Sequence, residues 1–166
     1  MNRKVIKLIL NAVSIVIFGV ALAGFFIRWV YVFIQGAGVQ GQNIGLEVAL
    51  NFGGFPQNLC GLFPLVYVAA CLVFAIVMLI KRLVALKKEP KEATGGALRG
   101  VLAAVFFALC GIISMFLCLS IHSIMNIAEP KAYGGYYLGE GAYVTAYTCL
   151  VGGLLMFINE SGLIKD

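Results

Sequence analysis

The sequence predicts an all-α integral membrane protein, a four-helix transmembrane bundle. Three observations carry this. Of 166 residues, 62% are hydrophobic and only 11% charged. The apolar residues fall into four long runs, and the basic residues flank those runs. A water-soluble domain must cover its surface with polar groups, and such domains carry about 25% charged residues on average. With so few charges, lipid is the solvent that accepts apolar side chains all round a helix.

The spans are expected at about 8–30, 62–80, 100–121 and 140–158. The first follows a basic flank of Arg3, Lys4 and Lys7. Its uncharged, mainly apolar stretch of about twenty residues covers the ~30 Å hydrocarbon layer. A cleaved leader is the rival reading, because Ala21-Leu22-Ala23 resembles a small-residue cleavage site. The run continues through Gly24-Phe25-Phe26-Ile27, which favours a span. The second run has Pro64 near its start, where a missing amide costs little, and stops at Lys81-Arg82. The fourth run is the shortest.

Charge asymmetry orients the chain. Arg3, Lys4, Lys7, Lys81, Arg82, Lys87, Lys88, Lys91, Arg99 and Lys165 fall on one side, ten of the twelve basic residues; Arg28 and Lys131 fall on the other. Lysine and arginine collect in cytoplasmic segments. Both termini and loop 81–99 are therefore expected in the cytoplasm of a multi-pass cell-membrane protein. Residues 35–61 and 122–141 are expected outside. Within the long first outer loop, Ile44, Leu46, Val48, Leu50 and Phe52 alternate with more polar or smaller residues, the period of a strand. Ile44, Val48 and Phe52 also recur at helical spacing, so a short interfacial helix is equally open. A strand would find its partner around Tyr133 to Leu138.

The order of four spans with a long first outer connection resembles that of claudin-like tetraspan proteins, together with Trp29 and Cys60-Gly61-Leu62-Phe63. The second cysteine of the claudin outer loop is absent, and no membership follows.

Several chemistries lack their residues. Cys60, Cys71, Cys110, Cys118 and Cys149 contain no CxxC, and four lie inside apolar runs, where thiols behave as small hydrophobes. His122 is the sole histidine, so a bis-histidine haem has no ligand pair. Asp166 is the sole aspartate, so an aspartyl dyad is absent. No carboxylate lies at mid-span, where intramembrane ionisable groups usually mark function. A metal set of His122, Glu47, Glu129 and Glu140 has no supporting spacing. No cofactor is expected. The net charge of +5 comes from residues flanking the spans, so nucleic acid is not an expected partner; anionic lipid is.

Two residue sets remain. Tyr133, Tyr136, Tyr137, Tyr143 and Tyr147, with Glu140, cluster at the outer boundary. Tyrosine favours that depth because its ring is apolar and its hydroxyl wants water. Beside glycines it also makes adaptable contact surface, so these residues are candidates for partner or ligand contact. Gly100, Ala104, Ala108 and Gly111 form a small-residue stripe, with Gly19 and Ala23 as a shorter one. Small residues let helices approach closely in lipid. The expected function is a non-catalytic accessory, scaffolding or regulatory subunit packed against another membrane protein or against itself. The alternative is an oligomeric transport or channel component for a neutral solute, with Asn11, Ser14, Ser114 and Thr145 along its path.

Overall fold

The computed structural model describes residues 3–50, 57–86, 97–128, 134–161 and 163. Four helices dominate: α1 (Arg3–Gly24), α3 (Gln57–Leu86), α4 (Ala97–Ala128) and α5 (Glu140–Glu160). Each contains a stretch long and apolar enough to cross a membrane: Lys4–Gly24, Asn58–Ala85, Gly100–Ala128 and Glu140–Glu160. In chain order each helix packs beside the next, and α5 closes onto α1, while α3 and α5 barely touch.

The structure is mostly helical, as expected, and it adds one small sheet to the helices. Strands β1 (Arg28–Ile34), β2 (Gly38–Ile44) and β3 (Gly134–Leu138) form one antiparallel sheet in the order β2-β1-β3, and a short helix α2 (Gly45–Leu50) follows β2. The first span therefore ends at Gly24, not near residue 30. Three turn hydrogen bonds follow, Phe25 N to Leu22 O, Phe26 N to Ala23 O and Ile27 N to Gly24 O. The next seven residues, RWVYVFI, then run as a strand. Hydropathy cannot separate these states, but β-branched and aromatic residues favour a pleated surface.

The β1–β2 hairpin turns through Gln35-Gly36-Ala37. Gly36 (φ 86°) and Gly38 (φ 74°) supply the left-handed conformations that side chains resist. β1 pairs centrally with both neighbours, Val32 facing Gly41 of β2 and Tyr136 of β3. The register slips between Arg28 and Val30. That bulge lets both Trp29 and Val30 be buried, against the strict alternation of a flat strand.

Residues 45–50 resolve the ambiguous outer pattern as helix. Gly45, Val48 and Ala49 are the buried positions, a spacing of three and one that suits a helix face. Glu47 accepts a hydrogen bond from the Ile44 amide (3.0 Å), which caps the first turn. Asn51 and Phe52 lie outside the described residues. The partner of the 134–138 strand is β1, rather than the 44–52 segment.

The second and third helices overshoot their apolar runs. α3 has 30 residues and α4 has 32, lengths of about 45 and 48 Å at 1.5 Å per residue. Pro64 is consequently inside α3, not in its first turn. It leaves the Cys60 carbonyl without its usual helical amide donor. The final turns of α4 rise far enough to meet the sheet.

Candidate interaction surface

The sheet end of the molecule is assembled around Trp29. Its indole Nε1 donates to the Gly24 carbonyl (2.9 Å), and its ring lies 4.8 Å from that of Phe25. Gly45 and Gly141 press on the indole, and a Cβ at Gly141 would come within 2.7 Å of it. The backbone joins in: Leu46 N donates to Phe25 O (2.8 Å), and Gly139 N to Trp29 O (2.7 Å). Gly61 of α3 meets the Ala49 backbone, where a Cβ would sit 2.7 Å from its nitrogen. The segments that flank the spans are thus fixed onto the helix ends.

Asn126 of α4 holds the far edge of β3. Its amide donates to Tyr136 O (2.9 Å), and its carbonyl oxygen accepts from Tyr136 N (2.8 Å). A side-chain amide here replaces a strand partner, so this edge is closed. Tyr136, expected at the contact surface, is 5% exposed: its ring belongs to the core beneath the sheet. Tyr137 points the other way and is 56% exposed. The difference follows from strand alternation, which turns neighbours to opposite faces. Tyr133 and Glu129 lie outside the described residues.

The outward face of the sheet is apolar. Phe33 and Val39 stand opposite one another across β1 and β2. The Phe33 ring meets Tyr137 edge-to-face, with centroids 5.9 Å apart. All three side chains are exposed. On α5, Glu140 is exposed and accepts from the Tyr31 hydroxyl (2.7 and 2.9 Å to its two oxygens). Tyr143 and Tyr147 are exposed and stack at 13°, with centroids 6.5 Å apart.

The small-residue stripe of α4 faces α5, inside the bundle. A Cβ on Gly111 would lie 2.8 Å from the Cys149 carbonyl oxygen, and one on Gly100 would lie 2.9 Å from that of Glu160. Ala104 is fully buried and Ala108 partly so. Gly153 answers Gly111 from α5. The Tyr67 hydroxyl sits beside both glycines and donates to Phe107 O (2.9 Å). In α1, however, Gly19 and Ala23 face outward, and Gly19 has no atom within 4 Å of its Cβ position. Gly24 makes the close approach instead, against Thr145. The two glycine positions lie on different faces of the helix, a distinction that spacing within one helix does not reveal.

The end opposite the sheet carries a polar knot that the sequence reading missed. Arg82 of α3 donates to Lys7 O (3.0 Å), to Asn159 Oδ1 (2.8 Å) and to Glu160 Oε1 (2.8 Å). Asn159 donates in turn to Asn11 of α1. Arg82 and Glu160 are only 18% and 12% exposed. The available signal was Asn11 inside one apolar run and Asn159 at the end of another, because a buried amide demands a partner.

The neutral residues considered for a solute path are mostly committed to packing. Ser14 donates to Leu10 O (2.8 Å) and Thr145 to Ala21 O (3.3 Å), while Asn11 receives Asn159. The Ser114 hydroxyl is buried without a hydrogen-bond partner among the described residues. His122 bonds locally, Nδ1 to Leu119 O (3.0 Å) and Nε2 to Ser123 Oγ (3.2 Å). Among the described residues, no three His, Cys, Asp or Glu side chains gather where they would hold a metal ion. All five cysteines are free and buried. On the outer flank of α3, Val66, Ala69, Ala70, Val73, Phe74 and Val77 line an open apolar groove of about 660 Å³. No protein-family model, curated protein or solved structure matches the chain.

Proposed function

We propose that the chain is a non-catalytic subunit of a membrane complex, and that it recognises another integral membrane protein through the outward face of its sheet. The observation that carries this reading is the Phe33, Val39 and Tyr137 patch. It is apolar and exposed on strands that lie outside the four candidate spans in sequence, and in this reading water rather than lipid chains meets it. Exposed apolar surface in contact with water marks interaction sites, and aromatic residues dominate binding hot spots.

The surrounding construction supports a rigid recognition surface. The Trp29 indole, the Asn126 clamp and the Gly61–Ala49 contact hold the sheet and α2 to the helices. A surface fixed before binding loses little conformational freedom on association. In this reading the basic residues 81–99 serve topology, the sheet faces outward, and both termini are cytoplasmic.

The test is affinity capture from membranes in mild detergent, with the captured partner then titrated against purified variants. Tyr137→Ala should weaken that binding by at least ~2 kcal/mol, about thirty-fold, without changing membrane insertion. Unchanged binding in a Phe33→Ala, Tyr137→Ala double variant would remove the sheet face as the contact surface.

A further inference from the structure

At the edge of the sheet end, opposite charges stand beside an aromatic stack that descends the side of α5. Arg28, the first residue of β1, is exposed. Its guanidinium makes no hydrogen bond among the described residues, and its backbone lies against Gly139, the neighbour of Glu140. Their proximity is built into the backbone. Gly139 N donates to Trp29 O (2.7 Å), and a Cβ on Gly139 would strike the Arg28 carbonyl. That junction carries Glu140 to the base of β1.

Glu140 is also the first residue of a candidate span, and the start of a span is where a bilayer changes from head group to chain. Below it on α5, Tyr143 and Tyr147 are stacked and exposed, and Val151, Leu154 and Ile158 continue exposed toward the other end. The steps 140, 143, 147, 151, 154 and 158 are three or four residues, so they make one stripe on one side of the helix. Charge lies at its top, tyrosine under the charge, and aliphatic side chains below.

We propose that Arg28, Glu140 and the Tyr143–Tyr147 stack form a site for one phospholipid with a primary-ammonium head group, in the leaflet on the sheet side. The assignment follows from complementarity. The planar guanidinium of Arg28, whose donors no described residue takes up, matches a phosphate diester in a forked geometry. The Glu140 carboxylate accepts the Tyr31 hydroxyl hydrogen bond, shared between its two oxygens, and keeps acceptor positions for an ammonium. Ethanolamine can donate N–H bonds there and choline cannot. The tyrosine rings suit the glycerol level, where an amphipathic side chain meets both water and hydrocarbon. The aliphatic stripe lies along the acyl chains. The site is separate from the Phe33, Val39 and Tyr137 patch, so it stands whether or not that patch meets a protein.

The full chain in detergent should be titrated by native mass spectrometry with dioleoyl phosphatidylethanolamine, phosphatidylcholine and phosphatidylglycerol. Wild type is expected to bind one phosphatidylethanolamine at least ten-fold more tightly than either of the others. Arg28→Gln should weaken that binding at least ten-fold. Glu140→Gln should abolish the preference for phosphatidylethanolamine over phosphatidylglycerol. Equal binding of the three lipids by wild type overturns the proposal without recourse to any variant. So do wild-type affinities and preferences in both variants. Water-soluble glycerophosphoethanolamine separates a lipid site from a site for a free phosphate ester. It should fail to displace the lipid at equal concentration, and displacement would overturn the lipid assignment.

Discussion

Replacing Gly111 with alanine puts a methyl group where α4 crosses α5. The new carbon would stand 2.8 Å from the Cys149 carbonyl oxygen, 3.0 Å from the Tyr67 hydroxyl and 3.4 Å from Gly153 Cα. Comfortable heavy-atom contact begins at about 3.5 Å, so the helices must separate by several tenths of an ångström. Overpacking of this kind costs about 1–3 kcal/mol. Alanine also favours helix over glycine by up to about 1 kcal/mol, which partly masks the loss. Gly19→Ala removes the ambiguity. It brings the same preference, but nothing lies within 4 Å of its Cβ position. The difference between the two variants therefore isolates the packing term, ~1–3 kcal/mol against Gly111→Ala. For a chain of this size that is a midpoint lower by roughly 3–10 °C. The five free, buried cysteines provide the assay. A thiol-reactive fluorophore added during heating reports them as the bundle opens. Equal melting midpoints for Gly111→Ala and Gly19→Ala would refute the reasoning.

Three other expectations concern distinct parts of the molecule. Asn126→Ala removes both hydrogen bonds to Tyr136; it should lower stability by about 1–2 kcal/mol and speed amide exchange at Tyr136 well beyond that at Val32. Arg82→Met leaves Glu160 and Asn159 without their donor and should lower the thermal midpoint; adding Glu160→Gln should recover part of the loss, and an unchanged midpoint in the single variant would count against the knot. In a background lacking the native cysteines, Ala37→Cys should react with an impermeant thiol reagent on intact cells while Ala93→Cys should not; the reverse pattern would invert the proposed orientation.

The four spanning helices were legible because an apolar run in lipid must satisfy its own backbone, and helix length is tied to bilayer thickness. The sheet was much less so. RWVYVFI is apolar whether it continues a span or leaves the membrane as a strand, and hydropathy weighs both alike. The aromatic and β-branched content of the segment was the better guide. Tyr136 and Tyr137 look equivalent in sequence, and only the pairing of β3 with β1 decides which one is buried. The stripe from Gly100 to Gly111 could be read from spacing, yet its partner Gly153 could not. The knot at the opposite end joins Asn11 to Asn159, 148 residues apart, and no local pattern connects them. Residues 44–52 stayed ambiguous because nine residues fit both periods; contact with Trp29 and Gly61 then favoured helix over 45–50.

The proposed role rests on the sheet face meeting another membrane protein, and crosslinking in living cells tests it most directly. A photoreactive phenylalanine analogue is placed at Tyr137, and in parallel at Phe116, which is exposed on the flank of α4 within a span. Illumination should give one discrete protein adduct at Tyr137, with another membrane protein or a second copy of the chain, and none at Phe116. A protein adduct at Phe116 with none at Tyr137 would contradict the account.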